Sequence, residues 1–297
     1  MKNSAYQIDP PGCSGKGVFP NDVGSKKHDV YDLKLDGIRY LYQIRPNGSS
    51  HNFLTSRHVS VKTGRFVEKQ DVETKMRDWK WPKHLHGLVF DGEVCGGSLS
   101  SDTQHAMTSG DTKYVCWGVI RDANGFGLTE RASWGILEEL NEVGEMPSWF
   151  SLVPRFETVA AAIKRVGADG EGLIGKMLDV PYGEKWTKYK RVETHDCFVT
   201  GFLPSKSAIY QAKGWIGAIC LGQYDADGAI TDVGTCDGFT QAERARISTH
   251  KNSTLGQVVE IKCQQRLASG KFRHGKFLRW RHDKNPNQCV FLPEKNG

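Results

Sequence analysis

Apolar and polar side chains alternate with a period of two through much of this chain. In YDLKLDGIRYLYQI, residues 31 to 44, Tyr31, Leu33 and Leu35 fall on one side, and Asp32 and Lys34 fall with Val30 on the other. After Asp36-Gly37 the apolar side is Ile38, Tyr40, Tyr42 and Ile44, and Arg39 faces away from it. Successive strand side chains point to opposite faces, so the stretch predicts two half-buried strands joined as a hairpin at the Asp-Gly turn. The same reading sets Asp91 and Glu93 opposite Leu88 and Phe90 in GLVFDGEVCGG (87 to 97). It puts Glu171 at the mouth of an apolar strand in DGEGLIGK (169 to 176), and gives Trp186, Lys188 and Lys190 one face in KWTKYKRV (185 to 192).

Helical spacing is rarer. It predicts helices over about Glu68–Lys80, stopped by Pro82, over Thr129–Glu142, and over Val159–Val166 behind Thr158. Thr240-Gln241-Ala242-Glu243 is a capping box that opens a helix ending near Thr249. The expected fold class is α+β: antiparallel sheets with flanking helices over residues 1 to 192, then a mainly β domain over 193 to 297. The hinge falls near Arg191 to His195, before the new strand DCFVTGFL.

Composition narrows the class. A hydrophobic content of 38% and a charged content of 25% over 297 residues are those of a globular protein with room for about two domains. The N-terminus lacks the apolar core of a signal peptide, and no stretch approaches the ~18 apolar residues of a membrane span, so a cytoplasmic protein without membrane attachment is expected. Eight cysteines form no C-x-x-C pair, which argues against a structural zinc site and for free thiols in a reducing compartment. GCSGKG (12 to 17) is not a phosphate loop, because Pro10 stands where that loop needs Gly and Gly17 where it needs Ser or Thr.

The net charge of +6 is uneven. From Glu193 onward there are 14 Lys and Arg against 10 Asp and Glu, and eight of those bases lie between Lys262 and Lys284, interleaved with Phe272, Phe277 and Trp280. That pattern suits either a solvated face or contact with a polyanion.

Charged residues commonly decorate the open face of an antiparallel sheet, so each charged strand alone has a bland reading. Together the strands supply Lys34, Arg39, Glu93, Glu171, Lys188 and Lys190, the equipment to hold a nucleotide phosphate and a divalent metal around an amine nucleophile. The order K-x-D-G-x-R (34 to 39), S-R (56 to 57), D-G-E (91 to 93), E-G-x-x-x-K (171 to 176) and W-x-K-x-K (186 to 190) resembles the covalent nucleotidyltransferase superfamily. It is most similar to small two-domain ATP-dependent DNA ligases. DVGTCDGFTQAER and GKFRHGKFLRWRHDK resemble their oligonucleotide-binding (OB) domain, and the resemblance runs over roughly residues 28 to 286.

The resemblance implies an adenylation (nucleotidyltransferase) domain over 1 to 192 and an OB-fold β-barrel over 193 to 297. It implies ATP as adenylate donor, Mg²⁺ or Mn²⁺ as metal, and nicked duplex DNA as the partner of a monomeric enzyme. Lys34 is then the nucleophile that forms lysyl-AMP. A free lysine has a pKa of about 10.4, so its amine must be made available by desolvation or nearby cations. Lys188 and Lys190 contact the α-phosphate, Glu171 holds the metal, and Glu93 holds the ribose with a share in the metal. Asp32 stands where relatives usually carry Glu and is expected at the adenine. Trp117, in a Trp-Gly that replaces the family's usual Phe-Asp, is the stacking platform. Arg39 and Arg57 face the ribose and the 5′-phosphate of the nick, and Arg279, Arg281, Asp283 and Lys284 orient pyrophosphate.

The nearest alternative is an mRNA-capping guanylyltransferase, which shares K-x-D-G-x-R and a terminal R-x-D-K; behind it come an RNA ligase, a class that usually lacks this form of OB domain, and a non-catalytic nucleic-acid-binding OB protein. NAD as donor is disfavoured, since 33 residues before Lys34 are too few for a nicotinamide-binding domain.

Overall fold

The two strands around Lys34 belong to different sheets. The computed structural model describes residues 5–68, 74–96, 112–121, 127–144, 146–167, 170–267 and 269–291, in two compact units, Met1–Lys190 and Arg191–Gly297. The fold is mixed α+β and mostly sheet.

In the first unit, one sheet runs in the order β1 (Gly15–Phe19), β11 (Thr187–Arg191), β10 (Gly172–Lys176), β2 (Val30–Leu33) and β9 (Arg155–Phe156). The other runs β5 (Phe66–Glu68), β4 (Phe53–Val59), β3 (Ile38–Gln43), β6 (Val89–Cys95), β7 (Lys113–Arg121) and β8 (Phe150–Leu152). The expected hairpin about Asp36-Gly37 is therefore not formed: β2 pairs with β9 and β10, whereas β3 pairs with β4 and β6. Two local contacts explain the crossing. The Lys34 amide donates to the Gly172 carbonyl of the first sheet (3.0 Å), and the Gly37 amide donates to Glu93 Oε1 of the second (2.7 Å). A Cβ on Gly37 would lie 2.3 Å from the Val94 carbonyl oxygen, so only glycine lets the link pass this close to β6.

The alternation itself is observed. Tyr40, Tyr42 and Ile44 are buried with Phe90, Leu88, Trp81 and Phe150 on the outer face of the second sheet. Tyr31 and Leu173 are buried with Tyr189 on the outer face of the first. Each large side chain buried there contributes about 1.5–3 kcal/mol. The Tyr42 hydroxyl keeps its partners inside that core, donating to the Met76 carbonyl (2.6 Å) and accepting from Trp81 Nε1 (2.9 Å).

Helix α1 covers only Thr74–Arg77; the expected stretch from 69 to 73 lies outside the described residues. It does not reach Lys80: the Met76 carbonyl accepts from the Tyr42 hydroxyl (2.6 Å), the Arg77 carbonyl from the Asn52 backbone amide (2.9 Å) and the Trp79 carbonyl from Asn52 Nδ2 (2.9 Å), so these acceptors are engaged from outside the helix. Helices α2 (Glu130–Glu142) and α3 (Val159–Val166) start where expected, with the hydroxyls of Thr129 and Thr158 accepting from the amides of Ala132 and Ala161. Leu137 and Leu140 pack α2 on the second sheet; Ala162 and Val166 pack α3 on the first.

In the second unit, β12 (Glu193–Pro204), β13 (Ile216–Tyr224), β14 (Ile230–Asp237), β18 (Gly275–Trp280) and β15 (Val258–Cys263) form a closed barrel in that order. Its core includes Val199, Ile219, Leu221, Val233 and Ile261. Beside the barrel lie α4 (Ala208–Ala212) and α5 (Gln241–Thr249), the latter capped by Thr240, whose hydroxyl accepts from the Glu243 amide. A two-stranded ribbon joins β16 (Gln265–Arg266) to β17 (Phe272–Arg273). All eight cysteines are free thiols, five of them buried as small apolar residues. Among the described residues, no helix is long and apolar enough to cross a membrane.

Candidate active site

The inner faces of the two sheets of the first unit line a cavity of about 650 Å³. Its charged lining residues lie on one face of their strands, and neighbours of the other parity, Leu33, Ile38 and Tyr40, line it as well. Asp32 and Lys34 come from β2 and the link after it, Arg39 from β3, Arg57 from β4, Glu93 from β6, Trp117 from β7, and Lys188 and Lys190 from β11. That volume is within the range of small-molecule sites, and the lining is strongly cationic.

Lys34 is at the centre of the charge pattern. Its Nζ donates to Glu171 Oε2, and Lys190 Nζ lies 2.9 Å from Glu171 Oε1, so one buried carboxylate is shared by two lysines. Partial burial pulls the Lys188 ammonium below its usual value, followed by the neighbouring cations Lys190, Lys34 and Arg57, with Cys13 opposing. Arg57 is exposed at the cavity rim.

Glu93 accepts from the Gly37 amide (2.7 Å), and burial pushes its carboxyl up to about 7 from an ordinary 4.5. Lys34 and the Gly37 amide pull it down, while Glu171 and Asp36 push it further up. Between those two pH values the folded protein binds more proton at Glu93 than the unfolded chain does. This group's contribution to stability is therefore full below about 4.5 and lost as pH rises through about 7. Glu93→Gln removes the charge and keeps an acceptor for Gly37. The variant should match wild type at pH 4.5 and exceed it by pH 8. The gap between the two values corresponds to roughly 3 kcal/mol at most, and residual solvent contact at Glu93 reduces the expected gain to about 1–2 kcal/mol. Urea unfolding of both proteins across pH 4.5 to 8 checks this, and parallel curves would refute it.

Two expected site residues are more deeply engaged than the sequence suggests. Asp32 is buried, with Arg155 Nε on Oδ1 (2.6 Å) and Arg155 Nη2 and Lys176 Nζ on Oδ2 (2.8 Å each). Burial opposes its charge, yet Lys176 and Arg155 outweigh burial and hold its carboxyl below its usual value. Glu130 completes the cluster, 2.8 Å from Arg155 and 2.9 Å from Lys176, and also accepts from Trp186 Nε1 (3.1 Å). A base contact by Asp32 must share oxygens that already hold two cations. Arg39, likewise, donates through Nε and Nη2 to Asp91 and through Nη1 to the Pro11 carbonyl (2.7 Å).

Trp117 forms part of the cavity wall, with the Arg39 guanidinium 5.4 Å from its ring centroid. The glycine after it has a structural cause. A Cβ on Gly118 would lie 2.2 Å from the Tyr182 ring, whose hydroxyl reaches over to Asp91 Oδ2 (3.0 Å).

In the second unit, the four C-terminal candidates gather around two acids that the sequence did not single out. Arg281 lies 3.1 Å from Asp196 and 2.7 Å from Asp283, Lys284 pairs with Asp196, and Arg279 Nε lies 2.6 Å from Glu260. Sequence reading missed Asp196, Glu260, Arg155 and Glu130 because each finds its partner through sheet pairing or side-chain reach across long stretches of chain, with no local spacing to betray it. Two ends of the quoted motif segments, Asp169 and Gly97, and Asp122 after the Trp117 strand lie outside the described residues.

No family model matches the chain. In sequence it is similar to DNA ligase C1 of Mycolicibacterium smegmatis, 29% identical over 42% of this chain and 44% of that protein. It is also similar to DNA ligase C of Mycobacterium tuberculosis, 28% identical over 42% and 46%. The match thus spans less than half the length of these curated relatives. In fold it is similar to the solved structure "Pmar-Lig_PreS3", with a TM-score of 0.63 and 17% identity over 90% of this chain and 66% of that one. A structure from a study of minimal-scaffold DNA binding by Lig E DNA ligases gives a TM-score of 0.59 at 19% identity over 92% and 100%. At these identities the structural likeness concerns the fold.

Proposed function

We propose that this chain is an ATP-dependent DNA ligase that seals 5′-phosphate/3′-hydroxyl nicks in duplex DNA. The observation that carries the reading is the half-buried Lys34 amine at a cavity wall, sharing Glu171 with Lys190 and flanked by Lys188. Similarity to DNA ligases in sequence supports it. In this reading residues 1 to 192 are the adenylation domain and the closed barrel of 193 to 297 is an OB fold, in a monomeric cytoplasmic enzyme.

Three phosphoryl transfers follow from the groups available. Lys34 Nζ attacks the α-phosphorus of ATP; a P–N bond forms, the P–O bond to pyrophosphate breaks, and the amine proton is lost. The nick 5′-phosphate oxygen then takes the adenylate from Lys34, and the 3′-hydroxyl displaces AMP to close the backbone. Such transfers depend chiefly on in-line positioning and on neutralising the phosphate oxygens. Lys188 and Lys190 supply the neutralising charge. Arg57, exposed and planar, suits the nick phosphate, and Arg39, clamped by Asp91, is fixed beside the ribose. Trp117 offers a face to adenine, while Asp32 holds Arg155 and Lys176 in place behind the base. Glu171 and Glu93 are the hard oxygen donors that would hold Mg²⁺, whose charge would offset that of the transferring phosphate. To attack, Lys34 has to exchange its contact with Glu171 for the phosphate.

Arg279, Arg281, Asp283 and Lys284 carry the pyrophosphate-orienting role. DNA is held through its backbone, so affinity falls steeply with salt and has little sequence preference.

The test is sealing of a singly nicked duplex with Mg²⁺ and each of ATP, GTP and NAD. Sealing with ATP alone is expected; product with GTP or NAD in its place, or none with any donor, would overturn the reading. The same assay separates the Arg281 role: Arg281→Ala should be slow from ATP and close to wild type on a pre-adenylylated nick.

A further inference from the structure

Where β12 begins and β15 ends, strand pairing assembles three side chains that no sequence spacing connects. Glu193 and Cys263 stand directly opposite each other in the antiparallel pair, and His195 is two residues along β12 from Glu193, hence on the same face. The Glu193 carboxylate, a His195 ring nitrogen and Cys263 Sγ all lie within 4.8 Å of one another, with His195 Nε2 3.2 Å from Glu193 Oε2. Cys263 is buried and the other two are half-buried. The His195 ring lies against Phe272, centroids 4.6 Å apart, and this fixes its orientation and covers one side of the group.

We propose that Glu193, His195 and Cys263 form a binding site for a zinc-type divalent cation, separate from the cavity that holds Lys34. The donor set decides the class of metal. Thiolate and imidazole are borderline-to-soft ligands that Mg²⁺ does not select, and a carboxylate beside them completes three of the four positions of a tetrahedral zinc site. Bond lengths of about 2.3 Å to sulfur and 2.0–2.1 Å to nitrogen set those donors about 3.5 Å apart in a tetrahedron, so the trio needs only small rotamer adjustment. The fourth position is left to solvent or an incoming group. On binding, the Cys263 thiol releases its proton to solvent as the sulfur–metal bond forms, and His195 presents Nε2 with its proton on Nδ1. Two negative ligands and a dication leave the site neutral, which suits its burial. The cation ties the first residue of β12 to the last of β15 and so fastens the closing pair of the barrel.

Cobalt(II) titrated into the full-length reduced protein reads the site directly. One equivalent should give a near-ultraviolet thiolate-to-metal band and the strong visible bands of four-coordinate cobalt, both displaced by Zn²⁺. Cys263→Ser should lose the near-ultraviolet band, whereas Cys220→Ser, at a half-buried barrel cysteine outside the group, should keep it. Because a core substitution risks misfolding, the half-buried Glu193→Gln and His195→Ala serve as second variants. Each should weaken Zn²⁺ by at least about tenfold in a chelator competition while leaving the metal-free melting temperature close to wild type. A wild-type protein without the thiolate band, or the same band retained in Cys263→Ser, would overturn the assignment.

Discussion

Replacing Lys34 by alanine should abolish ATP-driven nick sealing, with a loss of at least about 10³-fold, while leaving the protein folded. The size follows from the role proposed for Lys34. A nucleophile that forms a covalent intermediate has no substitute among its neighbours, and removing such a group costs several orders of magnitude. Lys188 and Lys190 are close by, but both project from β11, whereas Lys34 reaches in from the link between the sheets. Lys34→Arg should fail equally, because a guanidinium stays protonated and offers no amine. Stability should change little, since Glu171 keeps Lys190 as a partner when Lys34 is gone. Loss of a nucleophile is separable from general damage. A nick adenylylated beforehand bypasses Lys34 as the carrier of AMP, so the alanine variant should still seal it at a rate within about a hundredfold of wild type. Sealing from ATP by Lys34→Ala would remove this residue from its role, and failure on both substrates would point instead to a disrupted cavity.

The second large effect is on folding. Arg155→Met should destabilise the first unit by about 3–5 kcal/mol, the cost of leaving a buried ion cluster one charge short. Asp32, Glu130, Arg155 and Lys176 balance two negative charges against two positive ones, with side-chain exposures of 2%, 0%, 8% and 1%. Arg155 also stacks 3.8 Å from the Trp134 ring centroid, and Lys176 lies 4.2 Å from that of Trp186, so the cations are held on aromatic faces as well. Removing Arg155 strands Asp32 and Glu130 around a single lysine. Arg155→Met combined with Asp32→Asn should cost less than the sum of the two single changes, because the pair then leaves together. Denaturant unfolding of the four proteins of that cycle checks both statements; a single-variant cost below about 1 kcal/mol would show that the cluster does not stabilise the first unit in this way. Since Asp32 and Lys176 also line the cavity, sealing should fall in the same variant.

Much of the cavity was legible in the sequence because strand parity is local. Asp32 with Lys34, Asp91 with Glu93, and Trp186 with Lys188 and Lys190 could each be assigned to a face by counting residues in twos. Counting could not tell which strands pair. The Asp36-Gly37 turn looked like a hairpin, yet β2 and β3 join different sheets, and that crossing is what brings Lys34 to the cavity wall. Partners distant in sequence were equally hidden. Nothing about Arg155 in VPRF or Glu130 in LTERAS signals that they meet at Asp32, and the same blindness concealed Asp196 and Glu260 behind the C-terminal basic run. The scattered cysteines argued against a metal site by spacing alone, whereas Glu193, His195 and Cys263 are brought together by β12–β15 pairing. Side-chain burial also adds to the meaning of residues that were found: Asp32, expected at the adenine, and Arg39, expected at the ribose or nick phosphate, are both largely engaged by protein partners.

A covalent adduct on Lys34 is the most direct test of its proposed role as nucleophile. The protein incubated with ATP and Mg²⁺, without DNA, should gain the mass of one AMP through an acid-labile phosphoramidate, and peptide mapping by mass spectrometry should locate it on Lys34. An adduct on another lysine, a GMP adduct formed in preference from GTP, or no adduct at all would contradict it.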